Sequence, residues 1–402
     1  MAVNGHTHVD VAVVGAGLAG LTAAIALASA KVATALVGRR AAEDHRSTAL
    51  LAGSVAALEA LDAWAACRAH AAPLRRLRII DDTDRLIRAP EVKFDASEIG
   101  LEAFGHCIEN RHLVAALEAR ARELPALLRI EGDAREVRIG VRRVDIDCDG
   151  GAVSASLAVG ADGRRSLCRA AAGIDVHERK YPQAALTFTV RHTRPHGDTS
   201  TEFHRATGPF TLVPLPGNRS SVVWVLDGAA AARLSELDDV SLAEDAERKA
   251  HSILGRFEIE DGRSFFPLAA ATARQFARNR VALIGEAAHL VPPIGAQGLN
   301  LGLRDAATIA ELVVAAQRAG ADLGGMELLQ RYDAARRADV GSRSFAIDVL
   351  NRTLLSDFLP LQGARGIGLY LIDRVGPLRR ALMREGIQPA AFQPRLMRGE
   401  RL

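Results

Sequence analysis

The sequence predicts an α/β protein in which a Rossmann-like lobe is interleaved with an antiparallel-sheet lobe and followed by a helical C-terminal region. Three observations predict it. The chain opens on a strand, a glycine turn, a helix and a second strand; residues at about 180–270 are strand-rich; and a buried strand with a long helix returns after residue 280. At 402 residues the chain is too long for one small domain, so two lobes or one large domain with an insertion are expected.

The elements follow in order. Val9-Asp10-Val11-Ala12-Val13-Val14 reads as a buried parallel strand. Gly15-Ala16-Gly17-Leu18-Ala19-Gly20 comes next, then a helical run from Leu21 and a second strand at Val32–Val37. In this β-GxGxxG-α-β order the glycines permit a tight turn and close approach of a pyrophosphate. The helix N-terminus offers free N–H groups and the positive end of its dipole. A helix is expected at Ser54–His70, a strand at Arg75–Asp81 and an amphipathic helix over 111–124. Strands follow at about 126–160, ending in Ala158-Val159-Gly160-Ala161-Asp162-Gly163. Phe210–Val213 and Ser221–Val225 stand out in the inserted sheet. Arg280–Gly285 is again a buried strand, Gly302–Arg318 a helix, and 326–386 mostly helical. Repeats and low-complexity linkers are absent, so clean boundaries between the lobes are not expected.

Composition narrows the function classes. The apolar share is 49%, the charged share 25%, and Lys+Arg exceeds Asp+Glu by 51 − 48 = 3, which excludes a disordered chain and argues against a nucleic-acid binder. Cys67, Cys107, Cys148 and Cys168 form no CxxC pair, so free thiols in a reducing compartment are expected, not a disulfide framework or metal cluster. The N-terminus lacks the basic and apolar regions of a signal peptide, and no stretch nears the ~20 apolar residues of a transmembrane span. A cytoplasmic protein is expected, at most peripheral at the inner membrane.

Three separated motifs then agree: Gly15–Gly20; Val159-Gly160-Ala161-Asp162-Gly163-Arg164-Arg165-Ser166; and the long run from Leu283 through Gly285-Glu286-Ala287-Ala288-His289, Pro292-Pro293, Gly295-Ala296-Gln297-Gly298-Leu299-Asn300 to Asp305-Ala306. Together they resemble the single-component FAD-dependent aromatic hydroxylases of the p-hydroxybenzoate hydroxylase type. Arg46-Ser47-Thr48-Ala49-Leu50 with Trp64, Glu98–Gly105 and Gly368–Asp373 look like the ubiquinone-biosynthesis branch. The resemblance covers nearly the whole chain.

The resemblance implies residue roles. Gly15, Ala16, Gly17 and Gly20 cradle the FAD pyrophosphate; Arg39, Arg46 and Arg111 lie near its phosphates or ribose. Arg111, at a helix start, reads equally as a surface charge without the family match. Asp162 belongs to a turn used for FAD and in some relatives for NAD(P)H. Gly285 and Glu286 meet the ribityl chain. The backbone from Gly295 through Gln297, Gly298, Leu299 and Asn300 lies against the flavin, where amides and a helix dipole stabilise charge on the reduced ring. Pro292, Pro293 and His289 form the catalytic set, the prolines fixing the loop over the ring and His289 acting through packing or hydrogen bonding. No ligand spacing supports a metal. On this reading, 1–75, 111–178 and 273–325 build the FAD-binding lobe. Residues 76–110 and 179–272 build the substrate lobe, and 326–402 the helical region.

Two positions depart from the pattern. The carboxylate that ordinarily ends the second strand and binds the adenosine ribose is replaced by Gly38, followed by Arg39-Arg40, with no acidic residue before Glu43. Either the loop reaches back, or water and backbone hold the ribose, or FAD binds more weakly. One lost charge-assisted hydrogen bond is worth about 1.5–3 kcal/mol, roughly 10- to 100-fold in affinity. Glu286 stands where the family has Asp.

The implied activity is FAD-dependent hydroxylation of a polyprenylated phenol in ubiquinone biosynthesis, through a flavin C4a-hydroperoxide. O2 is the co-substrate, and NAD(P)H or a separate reductase the electron donor. Partners in a quinone-synthesis complex, a homo-oligomer and peripheral membrane contact are further options. Leu350, Leu354, Leu355, Phe358, Leu359 and Leu361 near Arg352 and Arg365, and the run Leu378–Arg384, suit a lipid surface or simple packing on the protein itself. Competing readings are a hydroxylase of a soluble aromatic, a flavin-dependent reductase, and a non-catalytic partner in a quinone-synthesis complex with weakened FAD binding.

Overall fold

The computed structural model describes residues 7–40, 44–83, 88, 90–293, 296–355, 375–387 and 393–402, with only the backbone of Asp261 and of 342–355. Among these residues the strands form three sheets. The first has the order β17 (Ala277–Arg278), β18 (Val281–Leu283), β11 (Gly151–Gly160), β1 (Thr7–Val14), β2 (Thr34–Val37), β8 (Leu127–Ile130). The hairpin β9 (Ala134–Ile139) and β10 (Val144–Cys148) joins it through β11. Its central pairs, β18–β11, β11–β1, β1–β2 and β2–β8, are parallel. That explains the continuous apolar runs, because a parallel sheet is covered on both faces. Val11 to Val14 and Ala35 to Val37 are buried. Helices α1 (Leu18–Ser29), α3 (Asn110–Arg122) and α7 (Gln297–Arg318) pack together over this sheet.

The second sheet runs β19 (His289–Leu290), β16 (Phe257–Ala273), β12 (Val176–His192), β15 (Arg219–Asp227), β14 (Gly208–Leu215), β13 (Thr199–Arg205), β5 (Arg76–Asp81), β6 (Val92–Asp95). It is antiparallel except for the parallel β5–β13 pair. Strand alternation splits it into two faces. Leu186, Phe188, Phe210 and Trp224 pack with Ala231 and Leu242 under α5 (Gly228–Ser235) and α6 (Asp239–Lys249). The opposite face, carrying Thr187, Thr189, Thr211, Val213, Ser221 and Val223, turns towards the first lobe: Val213 packs in one cluster with Ala49, Phe104, Cys107 and Ala296.

The third sheet, β3 (Ser47–Leu51), β7 (Gly105–Glu109), β4 (Ala71–Leu74), sits between the two. Residues 105–109, assigned from sequence to the substrate lobe, therefore pair with β3 and β4, while β5 and β6 do join the large sheet. The expected helix over Ser54–His70 is shorter: α2 (Ala52–Ala60) stops because Asp62 takes φ 60 and the amides of Ala63 and Trp64 turn back to the Leu58 carbonyl. The reversal buries Trp64 in the main core. The short α4 (Leu167–Ala171) follows the Asp162 turn; α8 (Met326–Leu355) and α9 (Gly376–Ile387) complete the fold. Gly295, Glu43 and residues 356–374, which include Phe358, Leu359, Leu361, Arg365 and Gly368–Asp373, lie outside the described residues, as do the side chains of Leu350, Leu354 and Leu355.

Candidate active site

The site is built where the parallel strands end. β1 delivers Gly15 at φ 110, and a Cβ there would lie 2.2 Å from the Ala161 carbonyl oxygen. A Cβ on Gly20 would lie 1.9 Å from the Gly15 oxygen. These two glycines are required by the protein's own packing. Gly17 differs: it caps α1 with ordinary dihedrals, φ −75 and ψ 179, and an added Cβ would meet nothing within 4 Å. Folding leaves that position free, so its missing side chain keeps space open in front of the helix. Helix α1 has neither a capping side chain nor an acidic residue in its first turn. Its leading amides and dipole are therefore available to an anion, as a dinucleotide pyrophosphate requires.

The second and third motifs close on this turn. Asp162 is spent within its own loop, accepting from Ser166 Oγ at 2.5 Å and Cys168 N at 3.1 Å. These bonds shape the turn beside Gly15. Arg169, which the sequence reading passed over, fastens the two motifs: it donates to the Ala287 carbonyl at 2.9 Å and the Arg164 carbonyl at 2.6 Å. Gly285 (φ 57) and Gly302 fit against Ala19; a Cβ on either would approach the Ala19 Cβ to 3.3 Å. The start of α1, the Gly285 turn and α7 thus share one edge.

Charged groups gather there. Glu286 is 3.4 Å from Arg164 and faces Arg46, all three side chains about half exposed. Arg46 is held by Asp44 through contacts of 2.8 and 2.9 Å. Those bonds, with the charge of Glu286, raise the arginine further above its usual range. Burial pushes the Asp44 carboxyl up, but hydrogen bonds from Arg46 and Asn110 outweigh it and hold it below the usual value. Arg111 donates to Glu109 at 3.1 Å, and Glu109 also meets Arg219 of β15 at 3.3 Å, which ties α3 to the second sheet. Arg39 turns to Asp133 at 2.9 Å.

The loop after β19 forms the roof. Pro292 is buried and Pro293 exposed, both in irregular backbone. Ala296 takes φ 54 and begins α7 without a side-chain cap, so a second open helix N-terminus lies beside the exposed Gly298 and the half-buried Gln297 and Leu299. The Asn300 side chain turns into the protein. It is 2% exposed, accepts from Leu51 N (2.9 Å) and Ser54 Oγ (2.7 Å), and donates to the Ala49 (2.8 Å) and Ala296 (2.6 Å) carbonyls. It locks the start of α7 to β3 and α2.

His289 is 3% exposed, and its Nε2 lies 2.6 Å from Asp305. His289 is thus buried against Asp305 at the start of the proline loop. Asp305 also accepts from Gly285 N at 2.9 Å and Arg336 Nε at 2.6 Å, and Arg336 and Arg304 share Asp339. Burial pushes Asp305 up, but His289 and Arg336 outweigh it and hold the carboxyl below its ordinary value.

The inner face of the second sheet approaches the start of α7, with Val213 and Ala296 in one apolar cluster. It carries small hydroxyls and valines, continued by an apolar cluster of Ala185, Val223, Val225, Phe266 and Leu268 with Tyr181. Arg191 and Arg219 of this face both pair with Glu260, and Arg179 lies over the Tyr181 ring. No group of His, Cys, Asp and Glu among the described residues is arranged to hold a metal ion.

Comparison with known proteins agrees with this geometry. The model of the FAD binding domain family matches residues 8–343. Ubiquinone hydroxylase UbiL of Rhodospirillum rubrum is 34% identical over 406 residues, covering 97% of this chain and 92% of the relative. The 3-demethoxyubiquinol 3-hydroxylase of Escherichia coli is 29% identical over 386 residues, covering 93% and 97%. Among solved structures, p-nitrophenol 4-monooxygenase PnpA of Pseudomonas putida superposes with a TM-score of 0.78 at 18% identity, over 96% of this chain and all of that one. At that identity the superposition speaks to the fold.

Proposed function

This chain belongs to the FAD binding domain family, on the branch of the ubiquinone-biosynthesis hydroxylases, and we propose that it hydroxylates the aromatic ring of a neutral, polyprenylated phenol. The space at Gly17, the uncapped starts of α1 and α7, and the Arg46–Glu286–Arg164 group fit a bound FAD. When bound, FAD supplies the redox chemistry that activates O2 for insertion of one oxygen atom into the ring, with NAD(P)H or a reductase as electron source.

The chain's own residues bind, orient and shield. The α1 amides take the pyrophosphate, and Arg46 and Arg164 face Glu286 where the ribityl chain passes. The open start of α7 presents amides to developing negative charge without reorganising, because Asn300 has already fixed it. The Asp305–His289 pair holds the Gly285 turn and the start of the proline loop. Pro292, Pro293 and the β-sheet face exclude water from the ring.

The observation that carries the substrate class is that inner face. A ring carboxylate would need an unpaired cation, whereas on this face Arg191 and Arg219 are committed to Glu260 and Arg179 lies over the Tyr181 ring. Hydroxyls with valines suit a phenol, and the Val225–Phe266–Leu268 cluster suits a prenyl tail. Such a substrate resides in lipid. No described helix is long and apolar enough to cross a membrane, but α9 docks through Met383 and Arg379 while Val375, Leu378 and Leu382 stay exposed, which supports peripheral contact.

The test is substrate-stimulated NAD(P)H oxidation, with product mass, for a short-chain prenylphenol and for its ring-carboxylated analogue. The neutral phenol is expected to gain one oxygen and to exceed the carboxylate at least about tenfold in kcat/KM, the penalty of burying an unpaired carboxylate. Preference for the carboxylate, or oxidation of NAD(P)H without ring hydroxylation of either compound, overturns the proposal.

A further inference from the structure

A Rossmann-like lobe ordinarily ends its second strand with a carboxylate that binds the adenosine ribose. Here that place is Gly38, and the structure shows why it carries no side chain. Gly38 has φ 155, and a Cβ would fall 2.8 Å from Ala16 N and 3.0 Å from Ala16 Cβ, in the pyrophosphate turn itself. The turn closes on Gly38, so an acidic side chain cannot return at this position without opening it.

The neighbouring strand offers one. β2 and β8 run parallel with Val37 opposite Ile130, and Gly38 N donates to the Ile130 carbonyl at 3.1 Å. Glu131 directly follows that strand, as Gly38 follows β2, at the same end of the sheet. Adjacent strands are about 4.8 Å apart, a distance a glutamate side chain can span. Gly150 packs closely on the Glu131 backbone: a Cβ there would lie 2.2 Å from the Glu131 carbonyl oxygen. Its carboxylate is 58% exposed and is held at one oxygen by Arg40 Nε at 2.9 Å. Arg39 is drawn away to Asp133 and Asp149. Both arginines after Gly38 are thus paired with carboxylates.

We propose that Glu131, positioned by Arg40, supplies the ribose-binding carboxylate that Gly38 cannot. The carboxylate has moved one strand along the sheet, and the dinucleotide site keeps its adenosine anchor. The inference rests on FAD being the cofactor.

The experiment is fluorescence titration of the apoprotein with FAD, with FMN, and with FAD whose adenosine ribose is 2′,3′-dideoxy. Glu131→Gln is near-isosteric and half exposed, so it is expected to fold; circular dichroism of the apoprotein checks that. The variant should weaken FAD about tenfold, the size of one partly solvated charge-assisted hydrogen bond, while FMN binding stays within twofold. The dideoxy analogue should bind wild type and variant alike, and Glu131→Asp should recover part of the loss. Overturning results are unchanged FAD affinity in Glu131→Gln, equal weakening of FAD and FMN, or an equal loss with the dideoxy analogue. Wild-type apoprotein that binds neither flavin refutes the FAD reading itself, and this inference with it; that outcome is visible before any variant is compared.

Discussion

Replacing Gly17 by alanine separates a glycine kept for a ligand from one kept for the fold. Gly17 has φ −75 and ψ 179, dihedrals that alanine adopts freely, and its added Cβ meets no atom within 4 Å. The apoprotein should be as stable as wild type, or up to about 1 kcal/mol more stable through reduced unfolded-state entropy. Gly15→Ala is the contrast. It places a Cβ 2.2 Å from the Ala161 oxygen at φ 110, more than about 1 Å inside contact distance. Backbone strain and overpacking together cost about 2–6 kcal/mol. In the holoenzyme the order changes. The Gly17→Ala methyl stands where the pyrophosphate approaches the α1 amides, so one charge-assisted hydrogen bond worth about 1.5–3 kcal/mol is lost and FAD affinity falls about 10- to 100-fold. Thermal unfolding of apoprotein and fluorescence titration with FAD read the two quantities separately. If Gly17→Ala binds FAD within twofold of wild type, or destabilises the apoprotein as Gly15→Ala does, the assignment of this turn is refuted.

The other predictions concern what holds the site in place. Asp305→Asn leaves Arg336 and His289 without their shared buried partner and should cost about 3–5 kcal/mol, read as a lowered urea midpoint; a loss below about 1 kcal/mol contradicts the network's role. Asp305 and Asp339 have folded-state pKa values below the ordinary carboxylate value. Their stabilisation is therefore complete above about pH 4 and lost as pH falls through the lower folded values, and Asp339→Asn should flatten that acid limb in urea titrations. Asn300→Ala strands the Leu51 amide and the Ala49 and Ala296 carbonyls in a buried position, which should cost about 3 kcal/mol and speed flavin release; unchanged release would show that α7 is anchored otherwise. Burial pushes the Cys107 and Cys168 thiols well above their usual pKa, so neither should react with a thiol-disulfide reagent at pH 8 until the protein unfolds.

Much of the fold was legible in the sequence because it follows from local patterns. The apolar run at β1, the glycine turn and the apolar start of α1 specify a strand–turn–helix unit within about twenty residues, and the strand at Val281–Leu283 shows the same apolar run. What could not be read depends on partners far apart in the chain. Asn300 looks like a loop residue facing flavin, and only its bonds to Ala49, Leu51 and Ser54, some 250 positions earlier, make it a clamp. The partner of His289, Asp305, lies 16 positions on and is itself shared with Arg336 of α8, a link that no local pattern announces. Arg169 carried no motif signal, because its value lies in reaching the Ala287 carbonyl. The helix expected through His70 ended early at Asp62, where burial of Trp64 outweighed the helical pattern. Gly38 looked like a loss in sequence; beside Ala16 it is a packing requirement.

We propose that this chain uses FAD to place one atom of O2 on the ring of a neutral prenylated phenol. The most direct measurement is incubation of the FAD-loaded enzyme, an electron donor and a short-chain prenylphenol under 18O2, followed by mass spectrometry of the product. A ring-hydroxylated phenol carrying one 18O is expected, formed only when FAD is present. A product labelled from water, or no ring hydroxylation by enzyme that holds stoichiometric FAD, would contradict it.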